Sequence, residues 1–408
     1  MNILYVYDGE WPEGATRVAK QTRALAAAGH NVLLLVRNER KRARIESNSW
    51  MTIRRLPTVP GRVFNRVLNF PYFFNPFWLF AILSAARSHR AHSIVVCDLP
   101  LAPTAVWVAR LLRMPVRYDM AEVYPEFLRD QWQFDIMRWS DHIVRNPKAA
   151  ELLERYVLRR TDTVFVVSQE SAERCYRLGV PEERVVIVGN TPEVARADSP
   201  KMDTPQDIRH LIGRPIILFV GILIGDRGVK VAVEAAALLA RSQRDIALVV
   251  VGDGPDRPRL EAIVAEKGLE DSVRLVGWRD HSTLSSYYAA ATIGLIPFMD
   301  GRHVRITLAN KQFDYMAAGL PIVASDLPPI RRIIEETNSG KVVPAGDAQA
   351  LAEAIEALLS DRTSLVELGR NGRAAVLTKY NWEQDADRFL REFTEDGSAV
   401  DPGRLVEA

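Results

Sequence analysis

Lys311 and Asp314 stand a helical turn apart near the start of the run Thr307-Leu308-Ala309-Asn310-Lys311-Gln312-Phe313-Asp314-Tyr315-Met316-Ala317-Ala318-Gly319-Leu320-Pro321-Ile322-Val323-Ala324-Ser325. That placing suits recognition of an anion beside a diol. The Thr/Asn/Lys cluster is expected to cap a short helix with Phe313, Met316 and Ala317 on one side. Gly319 stops that helix, and Pro321 opens a strand of β-branched residues. A helix N-terminus presents free N–H groups and partial positive charge, and Lys311 adds a full charge beside them. Asp314, one turn in, can accept hydrogen bonds from a ribose diol. The plain alternative is an ordinary helix–strand unit with a solvated Asp and Lys.

Other residues add to both kinds of chemistry. Arg227 lies in the loop Gly225-Asp226-Arg227-Gly228 after an apolar run. There it is either a charge-assisted grip on a phosphate or a solvated loop residue. Arg302 and Arg305 lie just upstream of Lys311. Gly14 lets the backbone approach a phosphate or sugar closely, while Gly9 reads as a turn-maker. Their loop lacks G-x-G-x-x-G, which argues against a nicotinamide-dependent oxidoreductase. Gly254-Pro255 ends a further run and reads first as a turn. Trp278 and Arg279 end the next, and Trp278 is open to a core role. Asp98, Asp119 and Glu122 fall at or just after predicted strand ends, where a carboxylate can take a proton or orient a hydroxyl. Capping a helix is the plainer role for Asp98, and holding a loop for Glu122.

These residues need a scaffold that gathers strand ends. Apolar β runs at Ile3–Tyr7, Asn31–Val36, Ile94–Cys97, Val116–Asp119, Val164–Val167 and Val185–Val188 fill the first half, with helical patterns such as Arg17–Ala28 and Thr104–Leu112 between them. A polar segment from Glu193 to Arg214, with Pro200 and Pro205, reads as a connection carrying a short helix around Asp207–Ile212. A second series follows at Ile216–Val220, Ala247–Val251, Val273–Val276, Ile293–Ile296, Ile322–Ala324 and Lys341–Val343. Apolar strands alternating with helices imply α/β domains with parallel sheets, and ligands at the carboxyl ends of the strands. The expected division is 1–195, a connection at 196–214, a second domain at 215–380, a returning helix at 381–396 and a frayed tail at 397–408.

The chain has 408 residues, 48% hydrophobic and 25% charged, with a net charge of +2. The length accommodates two or three domains, and the charge gives no reason to expect nucleic-acid binding. Cys97 and Cys175 lack metal-ligand neighbours and read as buried thiols in a reducing compartment. The start Met1-Asn2-Ile3-Leu4-Tyr5-Val6-Tyr7 reads as a strand, not a signal peptide. A cytosolic protein is expected, touching the inner face of a membrane if at all. Phe64, Phe70, Tyr72, Phe73, Phe74, Phe77, Trp78 and Phe80, beside Arg62 and Arg66, admit two readings. One is a membrane-surface patch that guides a lipid-linked acceptor. The other is a helix packed into the core.

Taken together, the motifs resemble a known family over nearly the whole chain. The run from Thr307 resembles "NK-x-F-E-Y-M-A-x-G-x-P-V-x-A-S" of nucleotide-sugar-dependent glycosyltransferases. Ala24-Leu25-Ala26-Ala27-Ala28-Gly29-His30-Asn31-Val32, Asp98-Leu99-Pro100 and Tyr118-Asp119-Met120-Ala121-Glu122 are similar to its motifs in the first half. So are Asp162-Thr163-Val164-Phe165-Val166-Val167-Ser168 and Gly189-Asn190-Thr191-Pro192. In the second half Val220-Gly221 with Arg227-Gly228, Val251-Gly252-Asp253-Gly254-Pro255 and Val276-Gly277-Trp278 are similar to the family's motifs. The resemblance is to glycosyltransferase family 4, and it implies the GT-B fold: two Rossmann-like domains with parallel sheets facing across a cleft. It implies a retaining transfer without cofactor or metal, from a nucleotide sugar to a saccharide or lipid-linked acceptor, in polysaccharide synthesis. Donor binding is implied for Gly14, Gly221, Arg227, Gly254, Trp278, Arg279, Asn310, Lys311 and Asp314. Acceptor-side catalysis is implied for Glu122 and Asp119, ahead of Asp98. Three departures stand out: Ile306, Ala121 and Ile222 occupy places where relatives carry Glu, His and Arg. They motivate a rival reading, a catalytically silent subunit that binds a partner glycosyltransferase.

Overall fold

The computed structural model describes residues 1–12, 14–61, 64–65, 67, 70, 73–134, 145–194, 203–242 and 244–394. The tail from Asp396, residues 195–202 of the connection, and Arg62, Arg66 and Tyr72 lie outside the described residues. By contacts the chain divides into two units. Of the described residues, unit 1 holds 1–128, 145–190 and 383–394, and unit 2 holds 129–134 and 191–382.

Unit 1 is built on an eight-stranded sheet. Its strands are β1 (Asn2–Tyr7), β2 (Asn31–Val36), β3 (Ile45–Ser47), β4 (Thr52–Arg55), β5 (Ser93–Cys97), β6 (Val116–Met120), β7 (Thr163–Val166) and β8 (Val185–Ile187), in the order β3-β4-β2-β1-β5-β6-β7-β8. All neighbours are parallel except the β3–β4 hairpin. The inner strands are buried along nearly their whole length, as their unbroken apolar runs require. The helices are α1 (Thr16–Ala27), α2 (Pro76–Ser88), α3 (Ala102–Leu112), α4 (Tyr124–Phe134, of which 129–134 count to unit 2), α5 (Pro147–Leu158) and α6 (Gln169–Arg177). The hairpin was not visible in the sequence. β3 is three exposed residues at an edge, too short and too polar to show a period.

Unit 2 carries β9 (Ile216–Val220), β10 (Ala247–Val251), β11 (Val273–Gly277), β12 (Ile293–Ile296), β13 (Ile322–Ser325) and β14 (Gly340–Val343), all parallel, in the order β11-β10-β9-β12-β13-β14. Its helices are α7 (Val229–Arg241), α8 (Arg257–Glu266), α9 (Leu284–Ala290), α10 (Asn310–Ala317), α11 (Pro328–Thr337), α12 (Ala348–Ser360) and α13 (Arg362–Thr378). One apolar cluster spans this unit from Ile208 to Val376. The helix α14 (Trp382–Arg391) packs within unit 1, where Arg388 Nε donates to Ile187 O at 3.0 Å and Phe389 sits 4.9 Å from Phe165, ring to ring. In each unit the order reverses beside the first strand, so the loops leaving the carboxyl ends diverge there and open a crevice.

Candidate functional site

In unit 2 the site begins where β9 and β12 part. They pair only at Ile293–Ile217 and Gly294–Leu218. Beyond that point the Tyr315 hydroxyl takes over: Val220 N donates to it at 3.0 Å, and it lies 3.2 Å from Leu218 O and 3.4 Å from Leu295 O. Gly294 makes room for the ring, since a Cβ there would lie 2.4 Å from a ring carbon. Tyr315 thus pins α10 over the strand ends, and Lys311, one turn earlier, is carried onto Gly221. Lys311 Nζ lies 4.0 Å from the Phe219 ring centroid and 4.7 Å from that of Phe298. A Cβ on Gly221, at φ +152, would come within 2.7 Å of that nitrogen.

Arg227 reaches the same ring. Its guanidinium lies 4.6 Å from the Phe298 centroid and 3.4 Å from Asp226 Oδ2. Gly228 is what allows this. Its φ is +65, and a Cβ would fall 1.7 Å from Pro297 O, so only glycine lets the loop close on the end of β12. Met299 N donates to Asp226 O at 2.8 Å and fixes the register. Two basic groups therefore share one aromatic ring. Burial and the charge of Arg227 push the Lys311 pKa well below the usual lysine range, and Asp226 and Asp314 only partly oppose them. The site thus collects basic groups, and a bound anion favours the charged form of Lys311. The N-terminus of α10 adds to it. Contrary to expectation, neither Thr307 nor Asn310 caps this helix: Ala309 is the cap residue, with no side-chain hydrogen bond. In the first turn Gln312 N donates to Ala309 O at 2.8 Å, and Asn310 is exposed there.

Other expected donor residues divide. Trp278 is 64% exposed, which excludes the core role. Arg279 is held by Asp207 at 2.6 Å and Tyr287 at 3.1 Å. Gly254 packs loop on loop, for a Cβ there would meet Leu223 O at 2.3 Å. Arg305 is paired with Asp300 at 2.5 Å, and Arg302 is exposed. Ile222, beside Gly221, is 53% exposed.

In unit 1 the three carboxylates have different fates. Asp119 is fully buried. Arg17 grips both its oxygens, with Nη2–Oδ1 at 2.6 Å and Nε–Oδ2 at 2.9 Å, and Gln21 donates to Oδ2 at 3.1 Å. Arg17 also donates to Val188 O and Gly189 O, each at 3.0 Å. This corrects the expectation of an acceptor-facing Asp119: its charge ties α1 to β6 and the end of β8. Asp98 is half-buried and takes φ +63, rare for a non-glycine residue. It accepts from Glu122 N at 3.2 Å. Its pKa is well above the carboxylate range, because of burial first and then the charges of Asp8, Glu122 and Asp119. Asp8, which follows β1, was missed in the sequence although it follows an apolar run. Burial pushes its pKa up to about 6. Glu122 is exposed. Gly14 has φ +68 and no atom within 4 Å of where a Cβ would sit. Among the described residues no group of three or more His, Cys, Asp or Glu is arranged to hold a metal ion.

The aromatic segment splits between its two readings. Trp78, Ile82, Ala85 and Ala86 of α2 face the core, whereas Phe64, Phe74, Phe77 and Phe80 are exposed. No helix among the described residues is long and apolar enough to cross a membrane.

Two parallel-sheet α/β units, one with Lys311 and Arg227 gathered at its strand ends, define a class of two-unit α/β proteins. Comparisons place the chain within that class. Residues 14–191 match the model for "Glycosyl transferase 4-like domain", and residues 214–361 match "Glycosyl transferases group 1". The chain belongs to the glycosyltransferase family 4-like proteins of GT-B fold. It is 28% identical to alpha-D-kanosaminyltransferase of Streptomyces kanamyceticus over 61% of this chain and 64% of that one. It is 33% identical to the amylovoran biosynthesis glycosyltransferase AmsK of Erwinia amylovora over 58% of this chain and 56% of that one. The matched region thus spans less than two thirds of these relatives. Sucrose-phosphate synthase from Thermosynechococcus elongatus superposes with a TM-score of 0.74 at 22% identity, covering 96% of this chain and 98% of that one. HepE from Anabaena, solved with UDP-glucose, superposes at 0.69 and 15% identity, covering 96% and 99%.

Proposed function

We propose that the protein is a nucleotide-sugar-dependent glycosyltransferase. It moves a hexosyl group from a donor held by unit 2 to a saccharide or lipid-linked acceptor met by unit 1, in cell-surface polysaccharide synthesis. The observation that carries this reading is the Lys311–Arg227 pair on Phe298, beside the N-terminus of α10, which has no side-chain cap. A nucleoside diphosphate sugar places its pyrophosphate on that pair. Relatives named as acting in amylovoran biosynthesis and as phosphatidyl-myo-inositol mannosyltransferase support a saccharide or lipid-linked acceptor. A fold neighbour solved with UDP-glucose supports the donor class. The silent-subunit alternative is not favoured by these comparisons.

In the step, the bond between sugar C1 and the β-phosphate oxygen breaks, and the acceptor oxygen bonds to C1. Charge grows on the departing phosphate. Lys311, Arg227 and the N–H groups of α10 are fixed where it grows, so stabilisation costs little reorganisation and needs no metal. The acceptor proton passes to the departing phosphate, on the face from which the acceptor attacks, so configuration is retained. Asp314 holds the donor ribose. Asp98, with Glu122, orients the acceptor hydroxyl, in place of the buried Asp119. The protein works at the cytoplasmic face of a membrane.

The test is a panel of UDP-, GDP-, ADP- and dTDP-sugars, read by thermal shift and then by turnover. Arg227→Ala and Lys311→Ala should each cost about 1.5–3 kcal/mol of donor binding, roughly tenfold or more in Kd. Unchanged donor binding in both folded variants overturns the assignment.

A further inference from the structure

Unit 1 holds a second groove that the proposed reaction does not use. It is a cavity of about 530 Å³ between the β3–β4 hairpin and α2, within the range of small-ligand sites. Along α2 it follows Phe77, Phe80, Ser84 and Ser88, positions that fall on one helical face. The stripe is graded. Phe77 and Phe80 are 52% and 67% exposed at one end, and hydroxyls stand at the other.

The opposite wall is cationic. Arg54 and Arg44 line it, Arg54 standing across from Ile45, which follows Arg44. Arg54 Nη1 donates to a neutral partner, Ser88 Oγ, at 2.9 Å. The nearby acid, Glu46, is committed to Arg55 at 2.8 Å. Arg55 itself lines the groove, is 1% exposed, and has an Nε with no hydrogen-bond partner among the described residues. The groove is thus cationic where it is hydroxylated and aromatic where it is open.

We infer that this groove seats one anionic membrane phospholipid, its phosphate at Arg44 and Arg54 and the start of its acyl chain along Phe80 and Phe77. Charge complementarity sets the occupant: a simple anion would leave the phenylalanines exposed, and a neutral lipid would leave the arginines unanswered. The inference deepens the membrane-contact reading and is independent of the donor site.

Two measurements test it on the full chain. The first is sedimentation with vesicles of phosphatidylcholine alone or with phosphatidylglycerol. The second is calorimetric titration with dihexanoyl phosphatidate below its micellar concentration, against inorganic phosphate. Wild-type protein should prefer anionic vesicles and bind the short phosphatidate but not phosphate. Arg44→Gln with Arg54→Gln should weaken phosphatidate binding at least about tenfold, and Phe77→Ser with Phe80→Ser should abolish vesicle binding. Arg44→Lys, which keeps the charge, should retain most of it. Equal binding of phosphate and phosphatidate overturns the inference, as does phosphatidate binding untouched in the arginine variant. Vesicle binding without phosphatidate binding removes the groove yet leaves the membrane reading standing. Failure to bind either removes both, and turnover on a soluble acceptor is unaffected in every case.

Discussion

At the scale of single residues, the fold disfavours the charged forms of Lys311 and Asp98. A lysine whose folded pKa lies below its unfolded value binds fewer protons in the native state, so it costs stability as pH falls from the usual lysine range towards the depressed value. Lys311→Met should therefore raise the midpoint of thermal unfolding of the ligand-free protein at neutral pH while removing donor binding. A phosphate on Lys311 restores its charge, so donor binding should take up protons and weaken as pH rises through the depressed pKa. Calorimetry in buffers of different ionisation enthalpy measures this directly. Asp98 runs the other way in pH. Its folded pKa is raised, so the native state binds more protons and stability is lost as pH climbs from the ordinary carboxylate range through the raised value. Asp98→Asn should be more stable than wild type at neutral pH, with the difference vanishing near pH 4, and should turn over poorly. A variant that is less stable at neutral pH would mark Asp98 as structural. Asp314→Asn should weaken nucleoside and full donor alike, a comparison of two Kd values that separates ribose binding from chemistry.

At the scale of elements, α10 owes its position to one hydroxyl and one glycine. Tyr315→Phe leaves Val220 N without its buried acceptor and should cost about 1–3 kcal/mol in urea unfolding. Gly294→Ala drives a methyl into the Tyr315 ring and should cost a similar amount by overpacking. Both should loosen the donor, because Lys311 rides on the same helix. The strand β12 accepts Gly294 for the same reason: a side chain there would occupy the space through which α10 is anchored. In α1 the equivalent tie is Arg17. Its bidentate grip on Asp119 joins helix and sheet in the interior, and breaking a buried pair leaves an unanswered charge. Asp119→Asn should lower stability by about 3–5 kcal/mol, and chemical unfolding should show this before any assay of turnover is read.

At the scale of the whole molecule, each unit places its distinctive residues at the carboxyl ends of its parallel strands. Unit 2 gathers cations there and unit 1 gathers carboxylates. That polarity suits a donor carrying phosphate and an acceptor carrying hydroxyl. It predicts that substitutions in unit 2 act on donor Kd, while Glu122→Gln and Asp98→Asn act on turnover at saturating donor. Equal effects on both quantities from either set would contradict the division.

The amino-acid sequence by itself determined the two series of apolar strands, because strands buried on both faces need continuous apolar runs whatever surrounds them. The joint order of its motifs placed it in its family; Arg227 and Asp98 were marked by their positions after those strands, and Lys311 by its place at a helix N-terminus. Tertiary structure alone decided which of them are buried in pairs and which stay exposed. Asp119 and Glu122 look alike in sequence, but Arg17, distant in the chain, buries one and leaves the other exposed. Phe298 and Tyr315 were not singled out in the sequence; folding brings one beside two basic groups and the other to the end of β9. The β3–β4 hairpin and the groove beside α2 had no periodic signature, since short edge strands are defined by their partners and not by their own pattern. Local pattern records burial along an element, whereas charge pairing and anchoring depend on contacts between elements, which only the folded chain creates.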